Sequence, residues 1–306
     1  MNGGPAGGRQ TVDIEGHRLS LSHLDRVLFP GSGHTKAQVL HYYAQIAPVM
    51  LPHVAGRPAS FVRAPEGPAG ESWIAKNPPA GAPDWVPVVP VEHRDGATEQ
   101  VVIDSTAALI AMVNLGAYEV HVPQWPAAAG RDAHDRLVLD LDPGPGTDLV
   151  VCCRVAERLR QLLDEDGLTA CPVLSGSKGL HLYAPIRPAS GRAVSAYAKG
   201  LAERLTGEHP GLVVASMAKL ERRGRVLIDW SQNASAKTTA APYTVRLRER
   251  AQGPGVAAPV TWDEVAACRS PGDLVFTPEA VVERAADRGD LLGALLSGDG
   301  VRGPVP

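Results

Sequence analysis

The sequence predicts an α/β protein, because short apolar strands alternate with helical segments along most of the 306-residue chain. Residues 137–142 alternate apolar and acidic side chains, which is the period of a β-strand. Residues 150–163 repeat apolar side chains at helical spacing, and Gly167 follows as a stop signal. Residues 171–174 and 226–228 then return as apolar strands.

Composition indicates a globular protein with one large domain or two lobes, since 44% of the residues are hydrophobic and 21% are charged. A net charge of -3 argues against a uniformly basic nucleic-acid binder, so phosphate binding would depend on local clusters of cations. The four cysteines show no CxxC spacing, and neither a zinc site nor a disulfide framework follows from them.

No secretory or membrane segment is expected. The start of the chain, MNGGPAGGRQ, lacks the apolar core of a secretory signal. An apolar run of about 18 residues, which a membrane-spanning helix needs, is also lacking. We therefore expect a cytoplasmic protein with no membrane partner.

The strand at residues 137–142 carries a pair of acids. Asp140 and Asp142 share one face of that strand, and the run Pro143–Gly146 must break into a loop directly after them. Two close carboxylates repel each other, whereas a divalent cation such as Mg²⁺ or Mn²⁺ stabilises both ionised forms and is often shared with substrate phosphates. The alternative is a solvated strand end with two surface acids.

The N-terminal part contains two candidate phosphate-binding cations. Residues 1–11 are Gly-rich and are expected to be a disordered tail. Thr35 is a plausible N-cap for a helix that contains Lys36 and has Pro48 near its end. Helix N-termini attract phosphate, and Lys36 with Arg26 would add positive charge there. The alternative is two solvated surface cations.

Two short strands follow with further candidates. Trp73 lies on a strand at residues 72–76 and is flanked by Arg63 and Lys76, so it either stacks on a nucleobase while the cations hold phosphate or packs onto a core. His121 lies on the strand at residues 118–122, where a lone histidine usually serves packing or hydrogen bonding.

The loop at residues 175–179 has the composition of a phosphate-binding loop. It combines Ser175 and Lys178 with two glycines, and His181 follows on the next strand. The GxxxxGK[ST] spacing of a P-loop is absent, and the loop opens a strand rather than a helix. The alternative is a turn that only joins two strands.

A third acid, Asp229, ends the apolar strand at residues 226–228. Positive charge is concentrated around it although the whole chain is slightly acidic, a distribution typical of an anion channel leading to metal-binding carboxylates. A solvated basic hairpin is the alternative. The cations are Lys219, Arg222, Arg223, Arg225, Lys237, Arg246, Arg248 and Arg250.

Three acids on two strands, a phosphate-suited loop and flanking cations together indicate two-metal phosphoryl or nucleotidyl transfer. The sequence also resembles a known family, the polymerase domain of bacterial DNA ligase D, which is a branch of the archaeo-eukaryotic primase superfamily. The resemblance extends over roughly residues 19–250. The phrases that carry it are LDRVLFP, HYYAQIAPVMLPHVAGRPA, YEVHVPQW, LVLDLDPG, LSGSKGLHLYAPI and VLIDWSQNASAKTTAAPYTVR.

The resemblance implies a primase-like (RRM-type) catalytic sheet with flanking helices and an N-terminal α/β lobe. A primase-polymerase domain would then cover residues 12–295. Its parts would be the N-terminal lobe at about 12–130, the catalytic core at about 131–250 and C-terminal helices at about 258–295, with a tail at 296–306.

The resemblance also implies roles for individual residues. Asp140, Asp142 and Asp229 would be catalytic and would bind two ions of Mn²⁺ or Mg²⁺. The nucleotide would be bound by His121, Ser175, Lys178, His181, Gln232 and Arg246. DNA would be bound by Arg26, Lys36, Arg63, Trp73, Lys76 and Arg223, with Arg26 and Lys36 recognising a downstream 5′-phosphate.

The implied activity is template-dependent addition of nucleotides, preferentially NTPs over dNTPs, to DNA 3′ ends during gap filling and non-homologous end joining. The implied partners are gapped or broken DNA, Ku and an ATP-dependent DNA ligase, in the nucleoid. The chain would be a stand-alone member or an excised domain. The alternatives are a non-catalytic DNA-end binding module and a de novo primase.

This sequence departs from the family pattern at two places. Trp73 and Ile74 stand where the family usually has a Phe-Phe pair that stacks on the template, so one aromatic face is lost. Arg26 and His23 stand where Lys and Asn are expected, so the phosphate pocket would keep its charge but change its shape.

Overall fold

The computed structural model describes residues 9–93, 96–250 and 252–297, and it is an α/β protein, as the sequence predicts. The strands are β1 (Gln10–Ile14), β2 (His17–Leu21), β3 (Val27–Phe29), β4 (His34–Thr35), β5 (Ser60–Arg63), β6 (Trp73–Ala75), β7 (Val88–His93), β8 (Gly96–Val101), β9 (Ala117–Val122), β10 (His134–Pro143), β11 (Cys171–Leu174), β12 (Leu180–Ala189), β13 (Val213–Val214), β14 (Val226–Asp229), β15 (Thr239–Ala240), β16 (Val245–Arg250) and β17 (Gly253–Val256). The helices are α1 (Lys36–Val54), α2 (Thr106–Asn114), α3 (Leu149–Glu165), α4 (Gly191–Glu208), α5 (Trp262–Ala267), α6 (Pro278–Arg288) and α7 (Gly293–Ser297).

Packing divides the described residues into two compact units. The first unit comprises the described residues within Met1–Val122, Tyr243–Val256 and Phe276–Asp287. The second unit comprises the described residues within Pro123–Pro242, Ala257–Val275 and Arg288–Pro306. These limits do not coincide with the lobe boundaries near residues 130 and 250 that the sequence suggests, because β16 and β17 pack with the first unit.

A five-stranded sheet forms the centre of the second unit, in the order β11-β12-β10-β14-β13. Strand β10 is its middle strand and pairs antiparallel with both β12 and β14, while β13 runs parallel to β14. Leu137, Leu139 and Leu141 are fully buried on one face of β10. Since side chains alternate along a strand, the acids at positions 140 and 142 emerge on the opposite face.

Helix α3 begins where the sequence predicts a helix. Asp148 caps it by accepting hydrogen bonds from the amides of Val150 (3.0 Å) and Val151 (3.3 Å). The helix ends at Glu165, and Gly167 follows with a φ of +74°. Its apolar face packs against β10, which holds the acidic strand in the core.

The first unit contains a sheet in which β5 lies between β6 and β9, all antiparallel. Four hairpins, β1–β2, β3–β4, β7–β8 and β16–β17, accompany it. Helix α1 packs against α2 and begins with the predicted N-cap. Thr35 and Gln38 form a complete capping box, which confirms that assignment.

The expected end of α1 near Pro48 is wrong, because the helix continues to Val54 with Pro48 and Pro52 inside it. Each proline removes one backbone hydrogen bond, but the buried side chains of Met50 and Val54 hold the last turns on the core. No helix among the described residues is long and apolar enough to cross a membrane.

The structure also limits the two predicted tails. Gln10 and Thr11 belong to β1, where they pair with β2, so the expected 1–11 tail overlaps this strand. Leu296 and Ser297 belong to α7, so the expected 296–306 tail overlaps that helix. The remaining residues of both tails, 1–8 and 298–306, lie outside the described residues.

Candidate active site

The three predicted acids lie on one face of the second unit's sheet. Asp140 is directly opposite Asp229 in the register of β10 and β14, and Asp142 lies two residues further along β10, opposite Leu227. Directly opposed residues of an antiparallel pair share a face. The side chain of Asp140 is 14% exposed, and Asp142 is exposed at the strand's end. The structure therefore groups three carboxylates on a surface that a ligand can reach.

Asp229 is held in place by the turn that follows it. Its Oδ1 accepts hydrogen bonds from the amide (2.9 Å) and the hydroxyl (2.6 Å) of Ser231, and its Oδ2 accepts one from Nε2 of Gln232 (3.1 Å). Ser231 is not among the residues predicted from the sequence. The signal was present, because an Asp with a Ser two residues later is typical of a turn in which the carboxylate caps the following amides.

Asn233 anchors this turn to the middle strand. It is fully buried, donates to the carbonyl of Val138 (2.7 Å) and accepts from the amide of the same residue (2.9 Å). Asn233 is likewise not among the residues predicted from the sequence. Both ends of its side-chain amide are thereby satisfied by β10, so the position of Asp229 is tied to the strand that carries the other two acids.

His181 lies beside the acids, as its place on β12 predicts. It is paired with Asp140 in the register of β10 and β12, is 3% exposed, and its Nε2 is 3.4 Å from Oδ1 of Asp140. Its ring meets the ring of Tyr183 edge to face, with centroids 6.0 Å apart. These contacts fix the imidazole at the edge of the acidic face.

The loop at residues 175–179 is closed by its own serine. The hydroxyl of Ser175 accepts hydrogen bonds from the amides of Ser177 (3.2 Å) and Gly179 (3.1 Å), so these two amides bond within the loop. A Cβ at Gly179 would overlap the carbonyl oxygen of Leu141, the residue between the two acids. Lys178 is exposed at the tip of the loop. The loop thus sits against the acidic strand with its cation outward.

A basic turn is attached to the other side of the same strand end. The amide of Gly144 donates to the carbonyl of Arg225 (2.9 Å), and the amide of Gly224 donates to the carbonyl of Pro145 (2.8 Å). A Cβ at Gly144 would overlap the carbonyl oxygen of Arg222, so a side chain at position 144 would break this junction. Arg223 is exposed on the turn.

The two nucleotide-binding candidates of the first unit share one carboxylate. Oε2 of Glu119 is 3.0 Å from Nε2 of His121 and accepts a hydrogen bond from Nε of Arg246 at 3.0 Å. Burial acts to raise the pKa of Glu119, but the hydrogen bond with His121 and the charge of Arg246 outweigh it and lower the pKa. Glu119, only 6% exposed, is a further residue that the sequence analysis missed.

Three of the DNA-binding candidates lie together at the edge of the first unit's sheet. Arg63 is paired with Trp73 in register, and its guanidinium lies over the indole ring, 5.1 Å from the centroid. Trp73 is 40% exposed and Ile74 is 72% exposed. Lys76 is exposed just beyond β6. The structure thus leaves an aromatic face and cations accessible here.

Arg26 and Lys36 are both engaged by acceptors of the protein itself. The Lys36 ammonium, 5% exposed, donates to the carbonyls of Ser22 (2.8 Å) and Asn114 (2.7 Å) and to Oδ1 of Asn114 (2.9 Å). Nη1 of Arg26 donates to the carbonyl of Pro65 (2.9 Å) and to Oε1 of Glu66 (2.7 Å).

The three acids form a donor set suited to hard divalent cations, since all of their ligating atoms are carboxylate oxygens. Within residues 9–93, 96–250 and 252–297, however, no three Asp, Glu, His or Cys side chains are already grouped around one ion position. The hydrogen bonds of Asp229 to Ser231 and Gln232 hold that carboxylate at the end of β14. A carboxylate that accepts such bonds still has lone pairs for a cation, so the three side chains fit hard divalent ions in their chemistry.

Most of the chain matches one known protein family. A family model described as "LigD, primase-polymerase domain" matches residues 35–292, so the chain is of the primase-polymerase class of nucleotidyltransferases. The chain belongs to the LigD primase-polymerase domain family, which confirms the resemblance found in the sequence.

Individual relatives agree with this assignment. The chain is 42% identical over 280 residues to the "Multifunctional non-homologous end joining protein LigD" of Mycolicibacterium smegmatis, a match that covers 91% of this chain and 36% of the relative. It is 31% identical over 274 residues to the "Bifunctional non-homologous end joining protein LigD" of Bacillus subtilis, covering 89% and 43%. The chain thus spans less than half the length of these relatives.

A solved structure confirms the primase-like fold. The polymerase domain of Mycobacterium tuberculosis ligase D in complex with DNA superimposes with a TM-score of 0.85 at 42% identity. The match covers 92% of this chain and 99% of that chain.

Proposed function

We propose that this protein is a metal-dependent, template-directed polymerase that adds nucleotides, ribonucleotides in preference, to DNA 3′ ends in gap filling and end joining. The observation that carries the proposal is the register of β10 and β14, which groups Asp140, Asp142 and Asp229 on one face. A protein that only binds DNA has no use for three grouped carboxylates, because they repel the phosphate backbone.

Asp140, Asp142 and Asp229 are the residues that would hold two ions of Mn²⁺ or Mg²⁺. When bound, such cations acidify an attacking hydroxyl and neutralise charge on the phosphates. We assign Asp229 to the side of the primer 3′-hydroxyl, and Ser231 and Gln232 orient it there through their hydrogen bonds.

The triphosphate is assigned to the cationic surroundings of the acids. Lys178 is exposed on a loop that contacts the acidic strand, and His181 stands next to Asp140, so both can meet the charge of the leaving phosphates. Ser175 shapes the loop, and Gln232 adds a donor near the third acid. His121 and Arg246 of the first unit are assigned to the nucleotide's sugar and triphosphate, as the resemblance implies.

DNA is assigned to the exposed aromatic and basic residues. Trp73 offers one ring face for base stacking, and Arg63, Lys76 and Arg223 supply charge for the backbone. Arg26 and Lys36 are assigned to the 5′-phosphate of a downstream strand. Broken or gapped DNA in the nucleoid, NTPs and dNTPs, Ku and an ATP-dependent ligase are the proposed substrates and partners.

The experiment that tests the proposal is primer extension on gapped DNA with and without a 5′-phosphate, comparing NTP with dNTP and Mn²⁺ with Mg²⁺. Asp142→Asn is the informative variant, because Asp142 is exposed at the end of β10 and its replacement leaves the core intact. Asp164→Asn, which removes an exposed carboxylate on α3, is the matched control.

We expect extension by the wild type and by Asp164→Asn, a loss of at least about 100-fold in Asp142→Asn, and faster use of NTPs. Equal extension by Asp142→Asn contradicts the proposed mechanism. Tight binding of the DNA ends without extension under any metal identifies an end-binding module instead. Product on a template that lacks a primer identifies a de novo primase.

A further inference from the structure

The guanidinium of Arg26 forms an ion pair with the carboxylate of Glu66. Its Nη1 donates to Oε1 of Glu66 at 2.7 Å and to the carbonyl of Pro65 at 2.9 Å. The Arg26 side chain is 29% exposed and that of Glu66 is 68% exposed. The pair thus lies at the surface, where DNA can reach it and where water weakens the attraction between the two charges.

The backbone around Glu66 is built to present this carboxylate. Gly67 follows with a φ of +85°, and a Cβ there would overlap the backbone carbonyl of Leu28 on β3, two residues after Arg26. The amide of Gly67 donates to the carbonyl of Ala64 at 2.8 Å, which closes the turn. Two chain segments 40 residues apart in sequence are therefore held together at a position that only glycine allows.

Lys36 is the less accessible of the two cations assigned to a 5′-phosphate. Its ammonium donates to the carbonyl oxygens of Ser22 and Asn114 and to the amide oxygen of Asn114, and the side chain is almost fully buried. Arg26 is the more exposed cation, and Glu66 occupies part of its guanidinium. Glu66 therefore modifies the more accessible of the two positive charges.

We propose that Glu66 is a specificity-determining residue that competes with the 5′-phosphate of DNA for Arg26. The inference rests on the proposed recognition of that phosphate. A terminal phosphate carries more negative charge than a carboxylate and can accept two parallel hydrogen bonds from a guanidinium, so it displaces Glu66 at a cost in affinity. Glu66 thereby lowers the preference of this protein for 5′-phosphorylated over 5′-hydroxyl ends.

The test measures the dissociation constants of gapped duplexes that differ only in a 5′-phosphate or a 5′-hydroxyl, and takes their ratio. Glu66→Gln keeps the shape of the side chain and removes its charge. Glu71→Gln removes the same charge from an exposed position five residues away and controls for the change in net charge. Arg26→Gln shows how much of the preference for a 5′-phosphate depends on the arginine.

We expect Glu66→Gln to raise the 5′-hydroxyl to 5′-phosphate ratio by about threefold to fivefold, with the ratio of Glu71→Gln equal to that of the wild type. The inference is overturned if Glu66→Gln leaves the ratio of dissociation constants unchanged or lowers it. A lower ratio would mean that Glu66 positions Arg26 for the phosphate. The inference is also supported if the wild type does not distinguish the two duplexes, with a ratio of one, and the ratio rises in Glu66→Gln but not in Arg26→Gln.

Failure of the proposed function has a different signature. In that case the wild type does not extend gapped primers at all, whatever the ratio of dissociation constants. Extension that proceeds normally, with a ratio that Glu66→Gln leaves unchanged, removes only the role of Glu66.

Discussion

Asp140 and Asp229 face each other across β10 and β14, and they form the one described pair of this register in which both residues are acidic. Two opposed carboxylates repel each other at neutral pH, and the nearby imidazole of His181 offsets this repulsion only when it is protonated. The strand pairing that opposes these two acids therefore weakens the fold locally, and a cation bound between them would offset the repulsion.

The first prediction follows from this repulsion. Because a cation that binds the folded state stabilises it by mass action, Mn²⁺ at about 100 times its dissociation constant is expected to add about 2.7 kcal/mol to the free energy of unfolding. The measurement is thermal unfolding with and without Mn²⁺. Asp229→Asn is expected to lose most of the gain, and Asp164→Asn none of it. An equal gain in Asp229→Asn would show that the ion binds elsewhere.

The second prediction concerns Ser231. Removing its hydroxyl in Ser231→Ala leaves the amide bond to Oδ1 of Asp229 but removes the shorter of the two hydrogen bonds to that oxygen. The carboxylate is then oriented less firmly, so the extension rate is expected to fall about tenfold and the Mn²⁺ concentration for half-maximal rate to rise. Ser231→Thr, which restores a hydroxyl, is expected to recover part of the rate. Ser20→Ala, exposed on β2, serves as the control. An unchanged metal dependence would make Ser231 a structural residue only.

The third prediction concerns Glu119. Because its pKa is lowered in the folded protein, its charge contributes stability above the usual pKa of 4.5, and this contribution is lost as pH falls through the lowered value. Urea unfolding is expected to show a stability gap between wild type and Glu119→Gln at neutral pH that closes in acid. The exposed Glu99→Gln is the control. Since Glu119 also orients His121 and Arg246, the KM for NTP is expected to rise about tenfold.

The fourth prediction concerns Lys36, whose pKa burial lowers from 10.5 to about 8. The unfolded chain keeps this proton at pH values where the folded protein has released it, so the unfolded state binds more protons between about 8 and 10.5. The wild type is therefore expected to gain stability relative to Lys36→Met as pH rises through this interval. Lys237→Met, exposed, should show no such trend. A stability difference between wild type and Lys36→Met that does not change with pH would mean that the three acceptor oxygens keep the Lys36 amine charged.

Local signals in the sequence predicted much of the fold. The alternation at residues 137–142 predicted β10, and the cap at Thr35 predicted the start of α1, because each depends on neighbours a few residues away. The lengths of some elements depend instead on tertiary packing. Helix α1 passes through Pro48 because Met50 and Val54, which continue the apolar spacing of Ile46, are buried against the core and offset the effect of the proline.

The same division holds for the candidate site. The three acids were predicted from their positions at strand ends, and the register brings them to one face. The hydrogen bonds of Lys36 to Asn114 and of Asn233 to Val138 were not predicted, since they join residues that are 78 and 95 positions apart in sequence. Glu119 was missed because its role depends on Arg246, which is 127 residues further along the chain.

The contact of Gly179 with the Leu141 carbonyl has a consequence for engineering. A hydrogen atom is the largest substituent that this close approach admits, so any side chain at position 179 would push the loop at residues 175–179 away from the strand that carries Asp140 and Asp142. Variants that alter the chemistry of this loop are therefore better placed at the exposed Lys178, whose side chain lies away from that junction.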